Sequence, residues 1–155
     1  MSETGFMEEI DISIKRLSNC EDIPLPQYAT AHAIGMDLHA AVDKKMILLP
    51  GKRALIPTGI CIALPCGVEA QIRPRSGLAI RYGVTVLNSP GTVDSDYRGE
   101  IKVILVNLGD KPFCINRGDR IAQMIIGKIV RGTWLVTDKL TVTSRGSGGF
   151  GHTGI

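Results

Sequence analysis

Asp94 and Asp96 stand two residues apart in the segment Asn88-Ser89-Pro90-Gly91-Thr92-Val93-Asp94-Ser95-Asp96-Tyr97-Arg98-Gly99. A carboxylate held by its backbone can orient a water and take its proton, the task of a general base in hydrolysis. On an extended segment both aspartates face the same way, so pattern alone does not choose between them. Four other segments also combine glycine with charged or hydroxyl side chains. They are Ala33-Ile34-Gly35-Met36-Asp37-Leu38, Arg73-Pro74-Arg75-Ser76-Gly77-Leu78-Ala79, Arg117-Gly118-Asp119-Arg120-Ile121-Ala122-Gln123-Met124, and the tail from Arg145 to Gly154. Guanidinium groups, hydroxyls and unobstructed backbone N–H groups are the donors that phosphate oxygens need. Taken singly, each segment also reads as a β-turn.

Several familiar reaction centres are excluded. No GxSxG elbow occurs and there are three histidines, His32, His39 and His152, so a Ser-His-Asp hydrolase has little to work with. No GxxxxGK[ST] run occurs, which excludes a P-loop. Gly146-Ser147-Gly148-Gly149-Phe150-Gly151 spells GxGxxG, but a dinucleotide fold needs a strand before it and a helix after it, and four residues follow. Its glycine N–H groups can still wrap phosphate oxygens. Arg117-Gly118-Asp119 reads as a turn.

The elements that must position these residues are short strands. Ile10, Ile12 and Ile14 alternate with polar residues, the period-2 mark of a half-buried strand. Further strands are predicted at Met46–Leu49, Ala54–Ile56, Gly59–Leu64, Val68–Ile72, Val84–Leu87, Ile101–Leu108, Phe113–Ile115, Ile121–Val130 and Trp134–Thr137, with turn residues between them. Only Gly77–Tyr82 is suited to a helical turn or two. The pattern predicts an all-β fold, a jelly-roll-like sandwich or β-barrel, and argues against α/β. Ile101–Leu108 is apolar on nearly both faces, which suits a strand buried on both sides or lining a subunit interface. Residues 1–142 are expected to form one domain. Residues 143–155, with five glycines, cannot build a core and are expected to be a mobile arm.

At 155 residues, 44% apolar and 21% charged, the chain is neither disordered nor membranous in composition, and a net charge of +3 gives no nucleic-acid footprint. The first eleven residues carry Glu3, Glu8, Glu9 and Asp11 and no basic residue, the opposite of a targeting segment, so a cytoplasmic protein is expected. Cys20, Cys61, Cys66 and Cys114 lack metal-ligand spacing and are expected to be reduced, core-facing thiols.

Taken together and in order, the five glycine-bearing segments resemble the five motifs of the homotrimeric dUTPase family, covering the chain from about Gly35 to Gly154. The resemblance implies a Mg²⁺-dependent dUTP diphosphatase that yields dUMP and pyrophosphate. Such an enzyme supplies dUMP for thymidylate synthesis and keeps uracil out of DNA. It also implies the dUTPase-like distorted jelly-roll with one short helix and a flexible C-terminal arm.

The resemblance selects Asp94 as the residue that activates water, and Asp37 as support for the metal's shell. Asn88 and Thr92, Val93 and Asp94 match a hairpin whose backbone reads the uracil edge. Tyr97 matches the ring that packs under the sugar and blocks a 2′-hydroxyl. Arg75, Ser76, Gly77 and Gln123 match phosphate donors. In the tail Arg145, Ser147 and Gly148 fold over the γ-phosphate while Phe150 stacks on uracil. Lys102 either contacts the nucleotide or is a solvated strand lysine. In the family each site takes residues from three subunits, and a tail of thirteen residues spans on the order of 40 Å, enough to reach a neighbour. No nucleic acid or membrane partner is implied.

Two competing classes share some of these features. A dCTP deaminase uses a glutamate in the corresponding hairpin, where this chain has Gly91-Thr92-Val93-Asp94, with Glu100 further along. A dUTP-responsive regulatory binding protein would keep the pocket without turnover.

Overall fold

The computed structural model describes residues 8–149. Among them are eleven strands and one helix: β1 (Ser13–Arg16), β2 (Gly35–His39), β3 (Met46–Leu48), β4 (Arg53–Pro57), β5 (Ile60–Ala63), β6 (Val68–Arg73), α1 (Ser76–Tyr82), β7 (Val84–Val86), β8 (Gly91–Val93), β9 (Lys102–Asn107), β10 (Phe113–Ile115) and β11 (Arg120–Lys128). All the ladders are antiparallel. They form four sheets, ordered β2-β11-β6-β8, β4-β9-β7, β1-β5 and β10-β3. The fold is all-β, as expected, but among the described residues no ladder closes into a barrel.

Alternation explains the core. Along β6, Val68, Ala70 and Ile72 are buried while Glu69 and Gln71 are half-buried on the other face and Arg73 is exposed. Ile56, Val84, Leu105, Ile115 and Ile121 from five strands are almost completely enclosed in the same cluster. Each such side chain contributes about 1.5–3 kcal/mol on burial. The doubly apolar strand, β9, is the centre of the three-stranded sheet, with β4 and β7 on its two sides. Its Asn107 is fully enclosed, and the amide donates to the carbonyls of Leu48 (2.9 Å) and Lys111 (2.8 Å), so no polar group is stranded there.

The single helix follows Arg73-Pro74-Arg75 and ends at Gly83, whose left-handed φ of 68° lets its N–H cap back to Ala79. Two strands did not stand out in the sequence. β2 and β8 carry Gly35, Asp37 and Gly91, poor strand formers that are held by pairing with β11 and β6. The N-terminal strand begins later than the isoleucine alternation suggested, at Ser13, and all four of its residues are exposed. Trp134–Thr137 pairs with no strand of the described chain. Only Cys20 of the four cysteines is buried. Cys61 is intermediate, and Cys66 and Cys114 are exposed, so the core-facing expectation is corrected for both of these; none is in a disulfide.

Candidate active site

Two groups of polar residues form on this scaffold. The first lines a cavity of about 300 Å³ between β6, β8, β9 and the loop after β8. Asn88, Gly91, Thr92, Val93, Asp94, Tyr97, Glu100 and Lys102 border it, with Leu55, Ile72, Val86 and Ile104 supplying apolar wall. Its size is at the lower end for a small-molecule site, the apolar-walled type with a few placed polar groups. β8 holds Val93 in the core through its pairing with Ala70, and the chain then emerges so that the Asp94 side chain is exposed. Gly91 leaves room for the Asn88 side chain, since a Cβ there would lie 3.0 Å from the Asn88 amide nitrogen.

Tyr97 is 46% exposed, and its hydroxyl donates to the Glu100 carbonyl at 3.0 Å. The ring closes over Gly99, where a Cβ would overlap the Tyr97 hydroxyl. The Glu100 carboxylate accepts the Gly59 N–H at 2.9 Å and lies 3.4 Å from Lys102 Nζ. A glutamate therefore does line the cavity, but its carboxylate is engaged by the Gly59 N–H and paired with Lys102.

The second group sits where β2, β11 and β6 run side by side. Gln123 is opposite Asp37 on one flank and opposite Arg73 on the other. Arg75 follows β6 and turns back, donating from Nη1 to the Arg120 carbonyl at 3.0 Å. Asp37 lies between two guanidiniums, with Oδ1 3.1 Å from Arg75 Nε and Oδ2 3.3 Å from Arg120 Nη1. The first contact is an ion pair out of line for a hydrogen bond, so Oδ1 is a buried oxygen without one. Gly35 lets Gln123 pack against the β2 backbone, its Cβ position being 3.4 Å from the glutamine's Cβ. His39, two residues along β2, is held below its ordinary pKa by burial, with the nearby Asp37 carboxylate pulling the other way and Arg120 and Arg75 reinforcing the burial. Ser76 and Gly77 open α1, where helix geometry leaves N–H groups without an intrahelical acceptor.

The sequence-predicted residues thus divide. Asn88, Thr92, Val93, Asp94, Tyr97 and Lys102 share the cavity, whereas Asp37, Arg75, Ser76, Gly77 and Gln123 do not line it. Arg145, Ser147 and Gly148 are in neither group. They form an exposed local turn in which Arg145 Nε donates to the Gly148 carbonyl at 2.8 Å. Phe150 lies outside the described residues. Arg120 was not singled out from sequence. Strict alternation would set it on the face opposite Gln123, and a register shift between Arg120 and Ala122 breaks that alternation. Gly99 and Glu100 were also missed as partners of Tyr97; a glycine two residues from an aromatic was the available signal.

A cavity of small-molecule size bordered by a solvent-facing carboxylate, with a cradle of two arginines gathered on Asp37 on the same all-β frame, suits a protein that handles a phosphorylated small molecule. The family model for dUTPase matches residues 21–154. The chain is 55% identical over 148 residues to the deoxyuridine 5'-triphosphate nucleotidohydrolase of Wolbachia sp. subsp. Brugia malayi, covering 94% of this chain and 95% of the relative. It is 58% identical over 146 residues to the enzyme of the same name from a Thermoanaerobacter species, covering 94% and 99%. Its fold is that of a glycine-to-serine mutant of a Staphylococcus bacteriophage 80alpha dUTPase solved with dUpNHpp, with a TM-score of 0.81 over 94% of this chain and 99% of that one at 22% identity. An aspartate-to-asparagine mutant of a dUTPase from phage phi11 of S. aureus, solved with a structural Mg(II) ion, is similar with a TM-score of 0.75 over 84% and 98% at 19% identity. The chain belongs to the dUTPase family.

Proposed function

We propose that the chain hydrolyses dUTP to dUMP and pyrophosphate, with Asp94 taking the proton of the attacking water. The observation that carries this reading is the cavity lined by Asn88, the Gly91–Asp94 edge and Tyr97, with an exposed carboxylate at its border. Backbone N–H and C=O groups of the hairpin are suited to the uracil edge, and a base that cannot match them leaves buried polar groups unpaired. The Tyr97 ring, fixed by Gly99 beneath it and by its own hydrogen bond, forms the floor for the sugar. A water held by Asp94 in line with the scissile α–β phosphoanhydride bond adds to phosphorus as its proton passes to the carboxylate, and the pyrophosphate leaves.

Arg75, Ser76, Gly77 and Gln123 serve as phosphate donors, and the Asp37 carboxylate braces the two arginines. Asp37 also fits the support of a hydrated Mg²⁺: its Oδ1 is a buried acceptor without a hydrogen bond, able to accept from a metal-bound water. Among the described residues no group of three or more acidic, histidine or cysteine side chains could hold a metal ion, and Asp37 would support an ion held chiefly by the triphosphate oxygens. Bound there, Mg²⁺ neutralises and polarises those oxygens.

The working unit is a homotrimer. Val130, Trp134, Leu135, Val136, Leu140 and Val142 are all exposed along a stretch without secondary structure, Trp134 by 95% and Val136 by 94%. Such a contiguous apolar run calls for a covering surface, and a second copy of the chain provides one. The cradle of one subunit then faces the cavity of another, and the tail, with Arg145, Ser147, Gly148 and Phe150, closes over the assembled site from a third. Four unpaired cysteines support a cytoplasmic location. No described helix is long and apolar enough to cross a membrane.

Turnover of dUTP, dCTP, dTTP and UTP measured side by side with Mg²⁺ tests the reading. The expected result is dUMP and pyrophosphate from dUTP alone. Ammonia released from dCTP would instead assign a deaminase, and binding of dUTP without turnover of any substrate would assign a regulatory protein.

A further inference from the structure

The loop that carries Tyr97 is stitched to the turn between β4 and β5 by three hydrogen bonds. Thr58 Oγ1 donates to the Ile101 carbonyl at 2.5 Å, Ile101 N–H donates to the Ile60 carbonyl at 2.9 Å, and Gly59 N–H donates to Glu100 Oε1 at 2.9 Å. The first two involve the backbone of Ile101 and do not depend on the side chain at position 100. The third does. The turn is held from its other side: the Gly59 carbonyl accepts the Leu17 N–H at 2.8 Å and the Pro57 carbonyl accepts the Ala41 N–H at 2.8 Å. It packs so closely on Cys20 that a Cβ on Gly59 would stand 2.6 Å from the Cys20 Sγ. A fixed donor thus points at the Glu100 carboxylate, whose side chain is only 16% exposed. The main-chain carbonyl of the same residue accepts the Tyr97 hydroxyl. Glu100 is therefore held at one end by a rigid turn and holds the Tyr97 ring at the other.

We propose that Glu100 is a positioning residue for sugar selection: it fixes the height and tilt of the Tyr97 ring and so sets how strongly the site rejects a ribonucleotide. This rests on the reading of Tyr97 as the floor for the sugar. A floor excludes a hydroxyl only if it cannot drop by the fraction of an ångström that the extra oxygen needs. The Gly59–Glu100 anchor supplies that resistance. The charge of Glu100 is secondary, since its pairing with Lys102 is at 3.4 Å with the lysine side chain 44% exposed. Reach to the Gly59 N–H is the property that matters.

Two conservative variants separate reach from charge. Glu100→Gln keeps an acceptor oxygen at the same distance without the charge. Glu100→Asp keeps the charge but is one methylene too short. The measurement is the ratio of kcat/KM for dUTP to that for UTP, with melting temperature as the folding control. In Glu100→Asp the ratio is expected to fall roughly ten-fold, the scale of one lost hydrogen bond to a charged acceptor, mainly through a better kcat/KM for UTP. Glu100→Gln is expected to keep the ratio within about three-fold, since it retains that hydrogen bond. Tyr97→Phe, which frees the ring from the Glu100 carbonyl, is expected to match Glu100→Asp.

An unchanged ratio in Glu100→Asp, or an equal loss in Glu100→Gln, overturns the positioning role while Tyr97 keeps its own. Tyr97→Ala distinguishes the underlying reading. It relaxes the ratio if the ring is the floor, and an unchanged ratio there removes the floor and the proposal together.

Discussion

The cavity and the cradle are assembled in opposite ways. The polar lining of the cavity lies between Asn88 and Lys102, one hairpin and its return loop, so a single chain builds it nearly whole. The cradle draws Asp37, Arg75, Arg120 and Gln123 from two strands and the start of a helix, joined by ladders and ion pairs rather than by nearness in sequence. On the proposed reading one region takes the nucleoside and the other the phosphates, and the cradle residues do not line the cavity. The difference is what the proposed trimer would exploit: if the two groups are half-sites, a complete site brings the cavity of one chain to the cradle of another.

Variants that disable each half sharpen this contrast. Asp94→Asn leaves the cavity's shape intact and removes its proton acceptor; kcat on dUTP is expected to fall by about 10³-fold with KM changed by less than about five-fold. Arg75→Ala opens the cradle and leaves Asp37 facing Arg120 alone. The loss of charge-assisted contacts is expected to lower kcat/KM by roughly 10²-fold, with a larger share in KM than for Asp94→Asn. If both variants gave the same kcat and KM pattern, the division of labour between the halves would be lost.

On the proposed reading the exposed apolar stretch beyond β11 joins the halves. Replacing Trp134 and Val136 together by glutamate puts charge where a partner's surface must cover them. Sedimentation is expected to move from trimer to monomer, with activity falling below about one-tenth as the shared sites are lost. Trp134 is the only tryptophan, so its emission in the wild-type protein, expected to be blue-shifted relative to the double variant, reports the same event.

A smaller effect is expected far from both halves. Arg117 Nε and Nη2 grip Asp22 at 2.7 Å each, and Nη2 also donates to the Asn19 carbonyl, tying the segment before β2 to the turn before β11. The Arg117 hydrogen bond holds the Asp22 carboxyl below its ordinary value of 3.8. Its stabilisation is therefore present above that value and is lost as pH falls through the lower folded one. Asp22→Asn is expected to lower the melting temperature slightly at pH 7, with the gap closing in strong acid, and to leave kcat unchanged. Both grips are exposed, which keeps the effect small.

Much of this was legible in the sequence because it rests on local pattern. The strand alternation of Val68–Ile72 and the turn residues around each strand predict an all-β fold. The third motif is a contiguous segment, so its members appear together in the structure as they do in the chain. Less legible was anything that depends on pairing across the fold. β2 and β8 hide behind glycines and an aspartate, Arg120 behind a bulge, and Glu100 behind a hydrogen bond to a turn forty-one residues away. Trp134–Thr137 carries the residue types of a strand but has no strand partner within the described chain.

Mixing the two disabled proteins tests the divided site most directly. Asp94→Asn chains carry an intact cradle and Arg75→Ala chains an intact cavity. After the two are unfolded together and refolded at equal concentration, subunits that share sites give about a quarter of sites with both halves intact, by random assortment. Recovery of dUTP turnover toward that fraction of the wild-type rate is the expected result. If the mixture is no more active than the two variants measured apart, each site is built within one chain and the account of two half-sites is wrong.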